Sequence, residues 1–275
     1  MSSANFLDRI RVVTIAQNVP GPLAAARMRR AGARVTKIEP PGGDPFLALS
    51  PEWHAELHEG VAIERLDLKT EAGRARASAL LEDADLFLTS QRPSALARLG
   101  FDPDTLRFRV PHLRMVRIVG SVREPEDPGH DLTYQARAGL LVDAMPRTLV
   151  ADVMASERAF AAALAVLRQP PGSVADIGLV ESLEPMLAPL RHGLTKPAGV
   201  LGGGAVRYRV YAARVGHVAV AALEPHFETR LSAALGIPIN ADLASRMLER
   251  TADEWEAWAH EHDLPLVAIR DIASR

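Results

Sequence analysis

The residues His130 and Asp131 follow a Pro-Gly turn in the segment DPGHDLTYQARAG, residues 127–139, on what reads as the first turn of a helix. One interpretation is structural, because an Asp at a helix start accepts hydrogen bonds from the unpaired backbone N–H groups. The other is chemical. In that case the turn directs an imidazole and several N–H donors at one reacting atom. The remaining sequence is needed to choose between the structural and the chemical interpretation.

The composition excludes several classes of function. The chain has 275 residues, 48% of them hydrophobic, and a formal net charge of −2, which provides no field for holding nucleic acid or an anionic membrane. No apolar run is long enough to span a bilayer, and the polar start MSSANFLDRIR is not a signal peptide, so the expected location is the cytoplasm. The absence of cysteine excludes thiol chemistry. His54 and His58 are interpreted as a solvated helix face, and no metal is expected.

The elements that must position His130 form a repeated strand–helix–strand pattern. The β-branched run IRVVTIA precedes a helix in GPLAAARMRRAGA and a second strand in ARVTKIEPP. Further strands in DLFLTS, LRMVRIVGS and SVADIGLV alternate with helices, one capped by Thr70 and one placed in ASERAFAAALAVLRQ. Such units build parallel sheets. The sequence therefore predicts an α/β fold with a large, Rossmann-like parallel-sheet domain.

The pattern changes after about residue 193. The run GVLGGG (199–204) is interpreted as a flexible joint, because no strand leads into it and no helix opens from it as a phosphate loop requires. The segment VRYRVYAARVGHVAVAAL predicts a β-hairpin, and two amphipathic helices follow it, the second capped by Thr251. We predict a large domain over 1–193, a Gly-rich linker over 194–204 and a small α+β domain over 205–275, which can end in a short return to the large domain.

Five strings together resemble the family III CoA-transferases, the CaiB/BaiF-type superfamily that includes the α-methylacyl-CoA racemases. They are PGPLAAARMRRAGARVTKIEPPGGDPF, LDLKTEAGRARASALLEDADLFLTSQRPSALARLGFDPDTL, PGHDLTYQARAGLL, LVADVMAS and YRVYAARVGHVAVAALEPHF. They occur in the family's order, from about residue 10 to 270. The resemblance implies the family's fold, acyl-CoA thioester substrates, no metal, no permanently bound cofactor and an intertwined homodimer. Coenzyme A then enters as part of the substrate.

The resemblance also implies a catalytic set. The racemases of the family use a His in GHD, an Asp and a Glu, and these match His130, Asp152 and Glu224. An imidazole and a carboxylate on opposite faces of the carbon next to a thioester can remove a proton and return it from the far side. Glu224 can orient the ring of His130, and the backbone N–H of Asp131 can stabilise the enolate oxygen. This implies that the Pro-Gly turn delivers a base and an oxyanion donor from one place.

The nucleotide of CoA carries phosphates that require cations and N–H donors. By resemblance, Lys37 at the end of the second strand and Arg92 in SQRPSAL contact it. The loop from Gln17 through Pro20 and Gly21 resembles the family's Gly-Pro loop and is expected near the pantetheine or the thioester.

Three functions follow from these observations. The first is a racemase or epimerase of 2-methylacyl-CoA thioesters, which the joint presence of His130, Asp152 and Glu224 favours. The second is a CoA-transferase in which Asp152 forms a covalent acyl anhydride. The third is a CoA-binding or partner-binding relative that has lost catalysis. The residues after Asp152, Val153 to Ser156, favour this third function, because they stand where the family usually has glycines.

Overall fold

The computed structural model describes residues 5–141, 144–238 and 242–271. The chain divides into two compact units, Met1–Pro185 and Met186–Arg275. The domain boundaries at residues 193 and 204 remain a sequence-based proposal beside this division. Among the described residues, no helix is both long and apolar enough to cross a bilayer.

The first unit alternates strands and helices. Its strands are β1 (Arg11–Thr14), β2 (Arg34–Glu39), β3 (Ala62–Arg65), β4 (Leu86–Thr89), β5 (Arg114–Val119) and β6 (Val174–Gly178). Its helices are α1 (Pro20–Arg30), α2 (Phe46–Leu49), α3 (Pro51–Leu57), α4 (Glu71–Glu82), α5 (Pro93–Leu99), α6 (Pro103–Arg109), α7 (Asp131–Ala138), α8 (Val150–Val166) and α9 (Leu179–Leu183). The strands form one parallel sheet in the order β3-β2-β1-β4-β5-β6. The predicted α/β class is confirmed.

Helices bury both faces of this sheet. On one face α1 and α8 pack together, and α8 presents a stripe of alanines at four-residue spacing, Ala151, Ala155, Ala159 and Ala163, all fully buried. Helices α4, α5 and α6 cover the other face and bury Phe87 and Met115 of the strands. A parallel sheet covered on both sides explains why the central strands β1 and β4 are buried along almost their whole length.

The strand order places a crevice beside β1. Because β2 and β4 pair with opposite edges of β1, the order of the strands along the sheet reverses direction at β1. In open parallel sheets such a switch point leaves a crevice at the carboxyl ends of the strands, and ligands bind there. The loops after β1, β4 and β5 meet at this edge.

The structure corrects the start of one predicted helix. The sequence pattern placed it at residue 155, whereas α8 begins at Val150, with Leu149 in the cap position. The side chain of Leu149 cannot accept a hydrogen bond from the first turn, so a local pattern gives no start signal there. By contrast, the caps at Thr70 and Thr251 form as predicted, each accepting from the N–H of the third helical residue.

The second unit is a three-stranded antiparallel sheet with helices. Its elements are α10 (Ala188–Arg191), β7 (Tyr208–Ala212), β8 (His217–Ala221), α11 (Pro225–Leu235), α12 (Leu243–Met247), α13 (Ala252–Glu261) and β9 (Leu266–Ala268). The strand order is β7-β8-β9, and the first two form the predicted hairpin. Trp255 is the largest buried side chain of its core, and its indole N–H donates to the carbonyl of Met247 at 2.7 Å.

The glycine run 199–204 is a hydrogen-bonded turn rather than the flexible joint that composition suggests. The N–H of Gly204 donates to the carbonyl of Gly199 at 2.9 Å, and the N–H of Leu201 donates to that of Leu194 at 2.8 Å. Gly203 has φ of +86°, a conformation that glycine adopts without a Cβ penalty. The glycines therefore allow the backbone to close tightly on itself.

Candidate active site

A cavity of about 140 Å³ lies within the first unit at the carboxyl edge of the sheet. The loop after β1 contributes Gln17, Asn18 and Pro20, and the segment after β4 contributes Ser90 and Arg92. The loop after β5 and the two helices beyond it contribute Gly120, Asp127, Gly129, His130, Tyr134 and Asp152. His130 and Asp152 therefore line the same cavity, although they are distant in sequence.

His130 stands immediately before α7 and has an extended backbone. Its N–H donates to Oγ1 of Thr133 at 3.0 Å, and the same hydroxyl donates to the carbonyl of His130 at 2.8 Å. The start of α7 is therefore held by Thr133, and the exposed imidazole is left to face the cavity. This geometry is in line with the chemical interpretation of the turn.

The Pro-Gly turn has its glycine because of Tyr134. A Cβ built on Gly129 would lie 2.5 Å from Cζ of the Tyr134 ring, which is buried. A Cβ on Gly120, at the end of β5, would meet the hydroxyl of the same ring. Both backbones therefore lie flat against Tyr134, and this packing determines where the loop carries His130.

A tether also holds the loop before His130. The carboxylate of Glu126 accepts from the N–H of Ser94 at 2.7 Å and from its hydroxyl at 2.8 Å. Asp127 pairs with Arg137 of α7 at 3.3 Å. The loop is therefore joined both to the first turn of α5 and to the helix that it precedes.

Asp131 has a role that sequence reasoning missed. Its Oδ1 accepts from the backbone N–H of Asp152 at 3.0 Å, so a residue of α7 caps the first turn of α8. The amide of Gln135 donates to Oδ2 of Asp131 at 2.5 Å and to the carbonyl of Thr148 at 3.2 Å. This contact is why α8 begins at Val150 without a local cap, and it sets the position of Asp152. As the first residue of α7, Asp131 also has an N–H outside the intrahelical ladder, as the predicted oxyanion donor requires.

The electrostatics of Asp152 are unusual. Burial, and then the nearby carboxylate of Asp131, raise the pKa of Asp152 to about 7 from its ordinary value near 3.8. Burial also raises the pKa of Tyr134. A carboxyl group that titrates near neutral pH can both take up and release a proton under ordinary conditions.

Of the residues predicted to bind CoA, the structure places three at the cavity. Arg92 lies at the start of α5 and is exposed, and Gln17 and Pro20 line the wall below it. Gly21 packs under this wall instead, because a Cβ there would overlap that of Ala16. Its glycine is required for the close approach of α1 to the end of β1.

The structure corrects the assignment of Lys37. Its side chain is 1% exposed, and its ammonium lies 2.5 Å from Oδ2 of Asp44, 3.1 Å from Oε1 of Glu39 and 2.7 Å from Nε2 of His58. The sequence places a basic residue at the end of β2, and alternation along a strand cannot tell which face the side chain takes when both are buried. The ammonium is committed to the interior, so the predicted contact with the nucleotide is wrong.

The interpretation of His54 and His58 as a solvated face is also wrong. Both are buried, with ring centroids 4.0 Å apart, because α3 packs them over the carboxyl end of β2. Together with Glu39 and Asp44 they bring four potential metal ligands within 4.8 Å of one another. The ammonium of Lys37 lies among these donors and supplies the positive charge that such a set attracts.

Glu224 lies in the second unit, at the cap position of α11. Its proposed contact with the ring of His130 stays a prediction. The polar residues of the cavity that sequence reasoning missed are Ser90, Asp127 and Tyr134. Only Tyr134 left a signal, in the two glycines that its ring requires.

The comparisons with known proteins identify the family of the chain. The sequence profile of CoA-transferase family III matches residues 7–274. A CaiB/BaiF CoA-transferase family protein of Caenorhabditis elegans is 27% identical over 285 residues, which covers 91% of this chain and 82% of the worm protein. The α-methylacyl-CoA racemase of Homo sapiens is 28% identical over 277 residues, covering 90% of this chain and 69% of the human enzyme.

Shorter and structural matches point the same way. The probable fatty acyl-CoA transferase Rv3272 of Mycobacterium tuberculosis is 33% identical over 149 residues, which cover 50% of this chain and 38% of that protein. The crystal structure of Rv3272 superposes with a TM-score of 0.84 at 23% identity, covering 97% of this chain and 84% of that one. A CaiB/BaiF family protein from Brucella suis gives 0.79 at 21% identity, with coverages of 98% and 85%. The predicted family fold is confirmed.

Proposed function

The chain belongs to CoA-transferase family III, an enzyme family, and from that premise we propose that it is a racemase or epimerase of 2-methylacyl-CoA thioesters. The observation that carries the proposal is one cavity lined by both His130 and Asp152, with the pKa of Asp152 raised to about 7. A carboxyl group poised near neutral pH suits reversible proton transfer, because its acid and base forms are both well populated there.

The reaction moves two protons, because one base takes the α-proton from one face of the carbon and the other base donates its own proton to the opposite face. In one direction the Asp152 carboxylate removes the α-proton, and the electron pair of the broken C–H bond moves into the thioester carbonyl to form an enolate. The protonated imidazole of His130 then returns a proton to the opposite face, and the electron pair re-forms the C–H bond with inverted configuration. In the reverse direction the two groups exchange roles.

Two further features support the enolate. The N–H of Asp131, at the start of α7, donates to the developing oxyanion, and the dipole of α7 favours the negative charge there. Arg92 holds the anionic part of CoA at the rim, while Gln17 and Pro20 line the path of the pantetheine. Glu224 of the second unit orients the His130 ring in this proposal. CoA enters as part of the substrate.

A CoA-transferase is the second candidate. Several relatives carry transferase names, among them the cinnamoyl-CoA:phenyllactate CoA-transferase of Clostridium sporogenes, 30% identical over 154 residues that cover 50% of this chain and 37% of that enzyme. If this chain is a transferase, Asp152 attacks the thioester carbonyl and the C–S bond breaks. CoA leaves as the thiolate, and an aspartyl acyl anhydride remains. The partial burial of Asp152 would protect such an anhydride from water.

The deciding experiment follows the α-proton by NMR in D₂O with each enantiomer of a 2-methylacyl-CoA. Wild type should exchange the α-proton of both enantiomers and interconvert them. His130→Ala and Asp152→Ala should each lose racemisation, by about 10²–10⁴-fold, and retain exchange with opposite enantiomers. His112→Ala, which removes an exposed imidazole outside the cavity, is the matched control and should behave as wild type.

Three other results would contradict the proposal. Mass spectrometry that finds a hydroxamate at Asp152 on the peptide TLVADVMASER, after incubation with acyl-CoA and hydroxylamine, would establish the transferase instead. A folded wild type that binds CoA in calorimetry, exchanges no proton and forms no such modification at Asp152 would establish the non-catalytic relative. Absence of CoA binding at millimolar ligand would exclude every acyl-CoA function. If wild type binds CoA, a weaker affinity in Arg92→Ala than in the control Arg98→Ala would show that binding uses this cavity.

A further inference from the structure

Beside the cavity lies a buried group of titratable side chains that the proposed reaction does not use. Lys37 and Glu39 come from β2, Asp44 from the loop after it, and His54 and His58 from α3 and its end. Their side chains are almost inaccessible to solvent, and the ammonium of Lys37 lies at their centre. Buried charges are costly unless each serves a partner, so the contacts of this group identify what it holds in place.

The hydrogen bonds define the protonation state of His58. Its Nδ1 lies 2.6 Å from the carbonyl oxygen of His54, which can only accept, so Nδ1 carries the hydrogen. Its Nε2 lies 2.7 Å from the Lys37 ammonium, which can only donate, so Nε2 is the acceptor. His58 is therefore neutral, in agreement with a pKa that burial lowers.

Asp44 links this group to the cavity. One carboxylate oxygen accepts from Lys37, and the other accepts from the backbone N–H of Asn18 at 3.1 Å and of Phe46 at 3.0 Å. Asn18 lines the cavity and has φ of +64°, a left-handed conformation that costs energy for a residue with a side chain. The preceding N–H, of Gln17, donates to Oγ of Ser90 at 3.1 Å.

We propose that Asp44 is a positioning residue of the site, held by Lys37 and His58, and that it keeps the Gln17–Asn18 loop in the shape that receives the acyl-CoA. The role in acyl-CoA binding rests on the proposed function, whereas the hold on the loop does not. Asp44 touches no reacting atom. It acts through the N–H of Asn18, whose strained backbone needs a charged acceptor to persist.

The first test measures the loop without any ligand. In Asp44→Ala the amide protection factor of Asn18, from hydrogen exchange followed by NMR, should fall about 10–100-fold, as expected for a lost hydrogen bond to a charged group. Asp104→Ala, which removes an exposed carboxylate of α6, is the control and should leave it unchanged. Asp44→Asn keeps an oxygen for the N–H of Asn18 and should give a protection factor between those of wild type and Asp44→Ala. This variant serves as the test if Asp44→Ala does not fold. Unchanged protection in the folded variants would overturn the proposal.

The second test connects the loop to the site. CoA affinity by calorimetry should weaken about tenfold in Asp44→Ala, with KM rising more than kcat falls, because the loop shapes binding and takes no part in the proton transfer. Lost protection of Asn18 with unchanged CoA affinity would overturn the positioning role. If wild type does not bind CoA at all, the proposed function fails, and the protection of Asn18 still decides whether Asp44 holds the loop.

The third test concerns His58, which faces Lys37, Glu39, Asp44 and His54. Protonation would place a second cation 2.7 Å from the Lys37 ammonium. Because burial lowers the pKa of His58, the protection factor of Asn18 in wild type should fall only at a pH below the ordinary histidine value of 6.5. In His58→Gln, whose amide oxygen accepts from Lys37 without titrating, protection should not change over this range. An equal fall in both proteins would overturn the part assigned to His58.

Discussion

At the scale of single residues, the environment that suits Asp152 to proton transfer also lowers the stability of the folded protein. The carboxyl group of Asp152 is removed from water and lies near Asp131, so the ionised form is disfavoured. Groups arranged in this way lower the stability of the fold, and enzymes keep them at sites of reaction. Stability and proton transfer therefore depend on the same carboxyl group, and each can be measured as a function of pH.

We expect Asp152→Asn to stabilise the protein in a pH-dependent way. The pKa is about 7 in the folded state and 3.8 in the unfolded chain, so between these values the folded state binds more protons, and wild-type stability falls as pH rises. Asn does not titrate. The gain should be small at pH 4 and reach on the order of 4 kcal/mol at pH 8, at about 1.4 kcal/mol per pKa unit. Urea unfolding at the two pH values measures it, and an equal gain at both would contradict this account.

A second prediction separates the two causes of the shifted pKa. Asp131→Asn keeps an oxygen for the N–H of Asp152 and removes the neighbouring charge. The pKa of Asp152 should fall below about 7 and stay above 3.8, because burial is the larger cause. Carbon-13 NMR of the carboxyl groups follows it directly. Asp127→Asn, which removes another carboxylate of the same cavity, is the control and should leave that pKa unchanged.

At the scale of elements, the site depends on how a turn and a helix pack. The loop before α7 lies flat on the ring of Tyr134, and α8 receives its cap from α7. A short local pattern does not specify either arrangement, because the first depends on packing of the loop against Tyr134 and the second joins residues 21 positions apart. The positions of His130 and Asp152 are therefore properties of the α7–α8 pair and of the loop between β5 and α7.

The packing of this turn leads to a third prediction. Gly129→Ala should destabilise the protein by about 1–3 kcal/mol, because the new Cβ would lie 2.5 Å from the buried ring of Tyr134. Thermal or urea unfolding measures the change. Gly42→Ala is the matched control, since a Cβ there meets nothing within 4 Å. In a Tyr134→Ala background the extra cost of Gly129→Ala should largely disappear, and a full additive cost would show that the ring is not the obstacle.

At the scale of the whole molecule, the family resemblance implies a homodimer whose active sites combine large and small domains. This chain has two compact units, with the proposed proton-transfer pair in the first and Glu224 in the second. We expect the protein to sediment as a dimer at tens of micromolar. A species of monomer mass at every concentration up to that range would contradict the prediction.

What the sequence determined by itself was the set of elements and their class. Runs such as IRVVTIA and DLFLTS are mostly apolar because their strands lie in a parallel sheet covered on both faces, and the caps at Thr70 and Thr251 depend on residues three positions apart. These signals are local, so they can be read directly from the chain. The resemblance added His130 and Asp152, and the structure places both at one cavity.

Only the tertiary structure decided which side chains face that cavity and which are buried. Lys37 ends its strand as a nucleotide-binding residue would, yet its ammonium is turned inward to Asp44 and His58. The start of α8 is set by Asp131, 21 residues away from Asp152. Both depend on hydrogen bonds between segments that meet only after folding. A short run of sequence contains no information about partners so distant in the chain, and for this reason local patterns predicted the scaffold but not these contacts.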